Sequence, residues 1–201
     1  MPSPARTSVP EIVAVGREIL ARDGLDGLTM AEVAARVGVR APSLYKRVSG
    51  RSELVRLVAE DVVAELHREL EAAARTGDPA TDLRALADAL RSFAHRDPHG
   101  HGLLFLPMPD EMAPDPELVA AAAAPVLRVC EELVGPDEAL NAARTVTAWA
   151  SGFLRMELSG GFQLGGSVDE AFAFGVGLLA RALAGVGPDL PGSRDEQAPQ
   201  A

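Results

Sequence analysis

Residues 28–47 read LTMAEVAARVGVRAPSLYKR, and the spacing in this stretch decides the fold of the first quarter of the chain. Thr29 followed three residues later by Glu32 is a capping box, a hydroxyl accepting from a first-turn amide while the carboxylate reaches back. Met30, Val33, Ala34 and Val37 then share one face of a helix over 30–37, and Leu28 is placed to staple onto Val33 across the cap. Gly38-Val39-Arg40 makes a three-residue turn. Pro42 belongs in the first turn of the next helix, where its missing N–H costs little. Two short helices joined by a glycine-containing turn form the helix-turn-helix pattern. Its second helix, here 41–47, enters the DNA major groove by its N-terminal residues.

Arg40, Ala41 and Ser43 are therefore the base-reading candidates. A guanidinium can grip guanine O6 and N7, a methyl touches thymine, and a hydroxyl is permissive. Tyr45, Lys46 and Arg47 come one turn later, where side chains meet phosphates and fix register without reading sequence. Thr29 and Arg51 each stand at a helix start, whose free amides attract anions. The charge distribution agrees. The 201-residue chain has a formal net charge of -10, yet residues 1–56 hold nine Lys/Arg against six Asp/Glu, and the remainder ten against twenty-three. A polyanion is repelled by the body and is admitted only at the N-terminal quarter. Spacing alone also fits a plain three-helix cap with Lys46 and Arg47 on a solvated face.

Outward from this stretch the chain reads as all-α. Ser8-Val9-Pro10-Glu11 and Ser167-Val168-Asp169-Glu170 repeat the capping box. Helix 1 covers about 8–22, with Ile12, Gly16, Ile19 and Leu20 inward, and Asp23-Gly24 stops it. A long amphipathic helix runs from Arg51 to about Ala74, broken by Thr76-Gly77-Asp78-Pro79. Further helices fit 80–96, 116–134, 137–159 and 168–185. Five prolines between Pro98 and Pro116 leave room for a short helix around 101–106. The expected organisation is a flexible arm at 1–7, a DNA-binding domain at 8–50, a regulatory and dimerisation domain at 51–187, and a disordered tail at 188–201. With 47% hydrophobic residues, this length suits one compact domain or two sharing an interface. No apolar run approaches the roughly 18 residues of a membrane span, and the start, MPSPARTS, lacks a signal-peptide core. The expected address is the cytoplasm, without membrane partners.

The segment from Ile12 through Val58 resembles the DNA-binding domain of the TetR family of bacterial transcriptional regulators. The matching pieces are LTMAEVAARVGV, APSLY, and the KRVSGRSELVRLV that begins the long helix. The resemblance covers about a quarter of the chain. It implies an all-helical homodimer with a recognition helix at 41–47. It also implies a C-terminal domain that binds a small ligand and dimerises through a four-helix bundle. Three positions depart from the family pattern: Arg40 stands where a Ser or Thr cap is frequent, Val48 replaces a frequent Phe, and Arg51 a frequent Lys. Further on, TAWASGFLRMELSGGF resembles a subgroup carrying Trp-x-His-Gly followed by Leu-Glu. Ser151 occupies the His position here, so no role that needs an imidazole carries over.

The C-terminal helices pose two questions. On 137–159, Trp149, Phe153 and Met156 share one face, and Ala143, Thr147, Ala150 and Leu154 another; a helix apolar on two sides lies between neighbours. The small face is assigned to the dimer partner, together with Gly175 and Leu179 of the last helix. Gly175 and Gly177 each cost about 1 kcal/mol in a helix interior, and close helix approach compensates. The large face is assigned to the interior. By spacing, Trp149, Phe153 and Met156 fit plain core, but with Phe93, Phe105, Met108 and Met112 they also suit an adaptable apolar ligand cavity. Glu157 reads as surface or interface more readily than as pocket.

His95, His99 and His101 do not keep metal-ligand spacing, and read as solvated or polar-lining groups rather than a metal site. Cys130 reads as a small buried residue. No cofactor motif, nucleophile–base pair or metal cluster appears, so an enzyme is not expected. The expected function is a transcriptional regulator, a repressor released from palindromic operator DNA by a small, mostly apolar ligand. The alternative is a ligand-independent dimeric regulator or activator, which a filled core would favour.

Overall fold

The computed structural model describes residues 8–186, and every regular element among them is helical: α1 (Val9–Gly27), α2 (Met30–Val37), α3 (Ala41–Leu44), α4 (Arg51–Ala73), α5 (Pro79–Arg96), α6 (Pro98–Leu104), α7 (Pro116–Val134), α8 (Ala139–Leu158) and α9 (Val168–Val186). The expected arm at 1–7 and tail at 188–201 lie outside the described residues.

Local chemistry sets the helix starts. The hydroxyls of Ser8, Thr29 and Ser167 accept from the amides of Glu11, Glu32 and Glu170 at 3.3, 3.2 and 3.2 Å, the first half of each capping box. Two of the starts that differ from the sequence reading fall on prolines. The short helix expected at 101–106 is Pro98–Leu104, and α5 begins at Pro79 instead of 80. In both, an aspartate caps: Asp78 accepts from Thr81 N at 3.0 Å, and Asp97 from Gly100 N at 2.8 Å. The prolines that read as breakers hold N1 positions, where a fixed φ and an absent donor favour initiation. Helix α1 leaves helical geometry at Gly24, as its Asp-Gly predicts, but resumes as far as Gly27.

Helix α4 is about 35 Å long at 1.5 Å per residue and threads the molecule. Its first turns pack Leu54 and Val58 against α1; further on, Val62, Leu66 and Leu70 belong to the body. A Cβ on Gly16 would come 2.7 Å from Val58 Cγ2, so α1 lies directly on α4. The boundary expected at 50/51 therefore cuts a shared core, to which the start of α4 belongs. Ile12, Ile19, Leu20, Leu28, Val33, Leu44 and Val48 complete that core, each worth about 1.5–3 kcal/mol when fully buried.

At the other end, Trp149 and Phe153 of α8 pack with Phe172 of α9, ring centroids 5.5 and 5.2 Å from it, and Phe162 closes on Phe153 at 4.8 Å. A Cβ on Gly175 would run into the Trp149 ring. The close approach that glycine serves is thus made to α8 of the same protomer, whereas the sequence reading placed it at the dimer interface. Gly175→Ala is expected to destabilise the protein by about 1–3 kcal/mol through overpacking. Urea unfolding followed by the fluorescence of Trp149, the one tryptophan of the chain, measures it; an unchanged midpoint and native emission would remove the ring from this position.

Candidate nucleic-acid interface and ligand cavity

The turn between α2 and α3 depends on Gly38, which adopts φ 77° and ψ 27°, left-handed geometry that a side chain disfavours. Its amide reaches back to the carbonyls of Ala34 and Ala35, ending α2 so that α3 can cross it. Helix α3 spans four residues and continues as a turn through Arg47, with Arg47 N and Val48 N both bonded to Leu44 O at 2.8 and 3.0 Å. Leu44 and Val48 are fully buried and anchor this segment. Arg40, Ala41, Ser43, Tyr45, Lys46 and Arg47 all stand exposed around them. Tyr45 is 52% exposed, high for an aromatic.

Neighbouring cations are already neutralised. Arg22 pairs with Asp23 and Glu32, and Arg36 with Glu32 at 3.0 Å. Arg40, Lys46 and Arg47 have no acidic partner among the described residues, so the positive potential of this end collects on the α3 segment. Two sequence-assigned positions behave differently. Thr29 is half-buried, with its hydroxyl engaged in the cap. Arg51 is engaged within the protein: its Nε donates to Leu28 O at 3.0 Å and its Nη2 to Leu25 O at 2.8 Å. Carbonyls at the end of a helix have acceptor capacity to spare, and the guanidinium uses it. The side chain ties α4 to α1 through these two nitrogens.

The body holds a cavity of about 700 Å³ walled by α4, α5, α7, α8 and the segment after α6. Phe105 and Met108 line it. Phe93 is fully buried in the core and Met112 packs against that core; neither is among the wall residues. The small face of α8 lies elsewhere than the sequence assigns it, while most of the large face stays in the interior of its own domain. Ala143, Thr147 and Ala150, expected at the dimer interface, line the cavity. Leu154 is fully buried beside Phe172. Trp149 and Phe153, read as plain core or as cavity lining, pack as core in the aromatic cluster with α9, and Met156, read with them, is 46% exposed. Leu179 is half-buried. The outer faces instead carry Phe174, 67% exposed, with Leu178 one turn on from it in α9.

The three histidines go to three neighbours. His95 Nε2 lies 3.1 Å from Glu157 Oε1. His99 packs on the α1 kink, within 3.3 Å of where a Gly24 Cβ would stand. His101 is buried against Phe105, with its Nε2 unpartnered; burial lowers its pKa and Asp97 opposes that. Glu157, read from the sequence as surface or interface, ties α5 to α8. Arg91 donates to it at 2.5 Å and also to Asp169 of α9 at 2.5 Å. Burial would raise the Glu157 pKa, but hydrogen bonds from Arg91 and His95 outweigh it and hold the carboxyl below its usual range. A depressed carboxylate stabilises the fold above its unfolded pKa, and that contribution is lost as pH falls through the lowered value. Cys130 is buried, its thiol pushed up to about 11 by burial.

One cluster joins the two ends. Arg17 of α1 sits 2.5 Å from Glu65, 3.7 Å from Asp61 and 3.0 Å from Asp97, the cap of α6. Helix α6 therefore touches the DNA-binding unit through Asp97 and His99. The chain just beyond its last turn forms cavity wall at Phe105 and Met108.

Two family profiles match the chain: bacterial regulatory proteins, tetR family, over residues 5–58, and the tetracyclin repressor-like C-terminal domain over residues 83–179. The HTH-type transcriptional regulator Rv0681 of Mycobacterium tuberculosis is 34% identical over 165 residues, spanning 78% of this chain and 73% of that protein. Among solved structures, regulatory protein SCO4313 superposes with a TM-score of 0.72 at 29% identity, over 88% of this chain and 94% of that one. A TetR variant from Acinetobacter baumannii AYE, solved in complex with minocycline, shares the fold with a TM-score of 0.66 at 24% identity, over 88% and 96% of the two chains. Among the described residues no helix is long and apolar enough to cross a membrane.

Proposed function

We propose, for a chain that belongs to the TetR family of bacterial transcriptional regulators, that it is a homodimeric repressor released from a palindromic operator by a small apolar ligand. DNA-binding regulation comes with the family. The α3 segment then sits in the major groove, with Arg40, Ala41 and Ser43 toward base edges and Tyr45, Lys46 and Arg47 toward phosphates. The dimer forms a four-helix bundle from α8 and α9 of each copy. The faces now assigned to it are those left open in the protomer, with Phe174, Leu178 and Met156 exposed beside the small residues Ala148 and Gly152.

The observation that carries the ligand-responsive reading is the position of α6 between Arg17 and the cavity. A seven-residue helix is only about 10 Å long, so displacement of Phe105 is felt at α1 within one rigid element. The ligand shifts the DNA-binding geometry only by its differential affinity for the two arrangements. The complex of the Acinetobacter baumannii protein with minocycline supports a small-molecule site on this fold. A cavity of this size argues against the ligand-independent alternative, which a filled core would favour.

Selection of bound sequences from a random DNA pool at two salt concentrations tests the operator reading. An inverted repeat with half-sites about ten base pairs apart is expected, with affinity falling steeply as salt rises. Binding without a consensus would sink it.

A further inference from the structure

We infer that the cavity is built for an uncharged aliphatic ligand, a hydrocarbon chain or saturated skeleton with at most one hydrogen-bonding group, and that it excludes ionised and planar aromatic compounds. The inference rests on the reading of the cavity as the effector site and specifies its ligand. Of the residues that wall it, Thr147 alone has a polar side chain and Phe105 alone an aromatic ring; the rest are Ala, Val, Leu, Met and Pro. The other rings near α8, Trp149, Phe153, Phe162 and Phe172, are spent on one another outside the cavity. A planar ligand therefore finds one stacking partner at most.

A charge fares worse. No acid or base lines the wall, and the walls are mostly helices whose backbone groups are bonded internally. An ion entering it loses hydration with at most one hydrogen bond, from Thr147, in exchange, a cost that exceeds the gain from several buried methylenes. The nearby cation Arg128, next in sequence to the wall residue Leu127, is drawn to Glu71 at 3.4 Å. The rim is apolar too: Phe105, Leu106, Val119, Leu127 and Leu140 are exposed large hydrophobics that all belong to the wall. An aliphatic chain continues the character of the cavity out to its mouth. Thr147 can give or take one hydrogen bond, which suits a hydroxyl, ketone or ester.

Calorimetric titration with octanol, decanol, dodecanol and tetradecanol, and with dodecanoate and dodecylammonium at neutral pH, tests this directly. Each added methylene should tighten Kd about four-fold until the cavity is full. Both ions should bind at least about ten-fold more weakly than dodecanol. Ala143→Phe, which puts a ring into the void, should remove binding of the whole series while operator binding persists. Ala123→Phe on the α7 wall does the same should the first variant fail to fold. Ions binding as tightly as the alcohol, a Kd indifferent to chain length, or alcohols retained by folded Ala143→Phe and Ala123→Phe proteins would each overturn the inference. The effector reading fails separately. If dodecanol binds with this length dependence but leaves the operator complex intact, the cavity chemistry stands and ligand-controlled release falls. If only an ionised compound releases the operator, the chemistry falls and the release mechanism stands.

Discussion

Replacing Lys46 and Arg47 together by Ala should weaken operator binding by about a hundredfold or more at physiological salt, and equally at every site tested. The two side chains are exposed, carry no acidic partner among the described residues, and hang from a turn fixed by Leu44 and Val48, so their removal leaves the fold intact. A dimer loses four phosphate contacts by this change. The slope of log affinity against log salt should therefore flatten by about 3–4, at roughly 0.9 for each contact. Arg40→Ala is the contrasting variant: preference at one or two operator positions should relax by about 1–3 kcal/mol while the salt slope changes little. Fluorescence anisotropy with labelled operator across a salt series measures both. If Arg40 moves the slope and Lys46/Arg47 moves the preference, the segment is rotated by a turn relative to the groove.

The second large effect is expected inside the protein. Arg17→Met should cost about 2–4 kcal/mol of stability, because it takes from Asp97 its one basic partner among the described residues and leaves Glu65 only the longer contact to Arg96 at 3.6 Å. Methionine keeps much of the side-chain volume, so the loss reports charge and not packing. The side chains of Arg17 and Asp97 are 17% and 11% exposed, well below the range in which ion pairs contribute almost nothing. Asp97 also caps α6, so the same substitution should loosen the link between the cavity and α1. Urea unfolding of the two proteins side by side measures the difference. An Arg17→Met protein within about 0.5 kcal/mol of wild type would mean that water screens the cluster as at an ordinary surface. Such a result would also remove the main support for α6 as the connecting element.

How far the sequence could be read depended on the range of the interactions involved. Helix starts were legible because a cap involves residues three apart, and Ser8, Thr29 and Ser167 each deliver the hydroxyl that their spacing requires. The helix-turn-helix segment was legible for the same reason, since a glycine turn, a proline and two buried anchors occupy only eleven residues, 38–48. Pro79 and Pro98 misled: proline excludes a helix interior but welcomes a first turn, and only the aspartate before each one marks which applies. The contacts of Arg51 were hidden for a different reason. Its partners, the carbonyls of Leu25 and Leu28, lie more than twenty residues away in sequence, where no local pattern can reveal them.

The same limit governs the body. Periodicity alone established that α8 is apolar on two faces and that glycines in α9 serve a close approach. It could not say which face meets which neighbour, because a helical period fixes angles about one axis and carries no information about the placement of other axes. Packing decided that. Phe172 stands opposite Trp149 and Phe153 and draws the large face toward α9, and Gly175 yields the space that the indole needs. The small face, with Ala143, Thr147 and Ala150, is thereby turned toward α4 and α7, where small side chains leave volume unfilled. By itself the sequence determined an all-helical regulator with a basic recognition turn on an acidic body. Only the tertiary arrangement turned a stripe of small residues from an expected interface into the wall of a cavity.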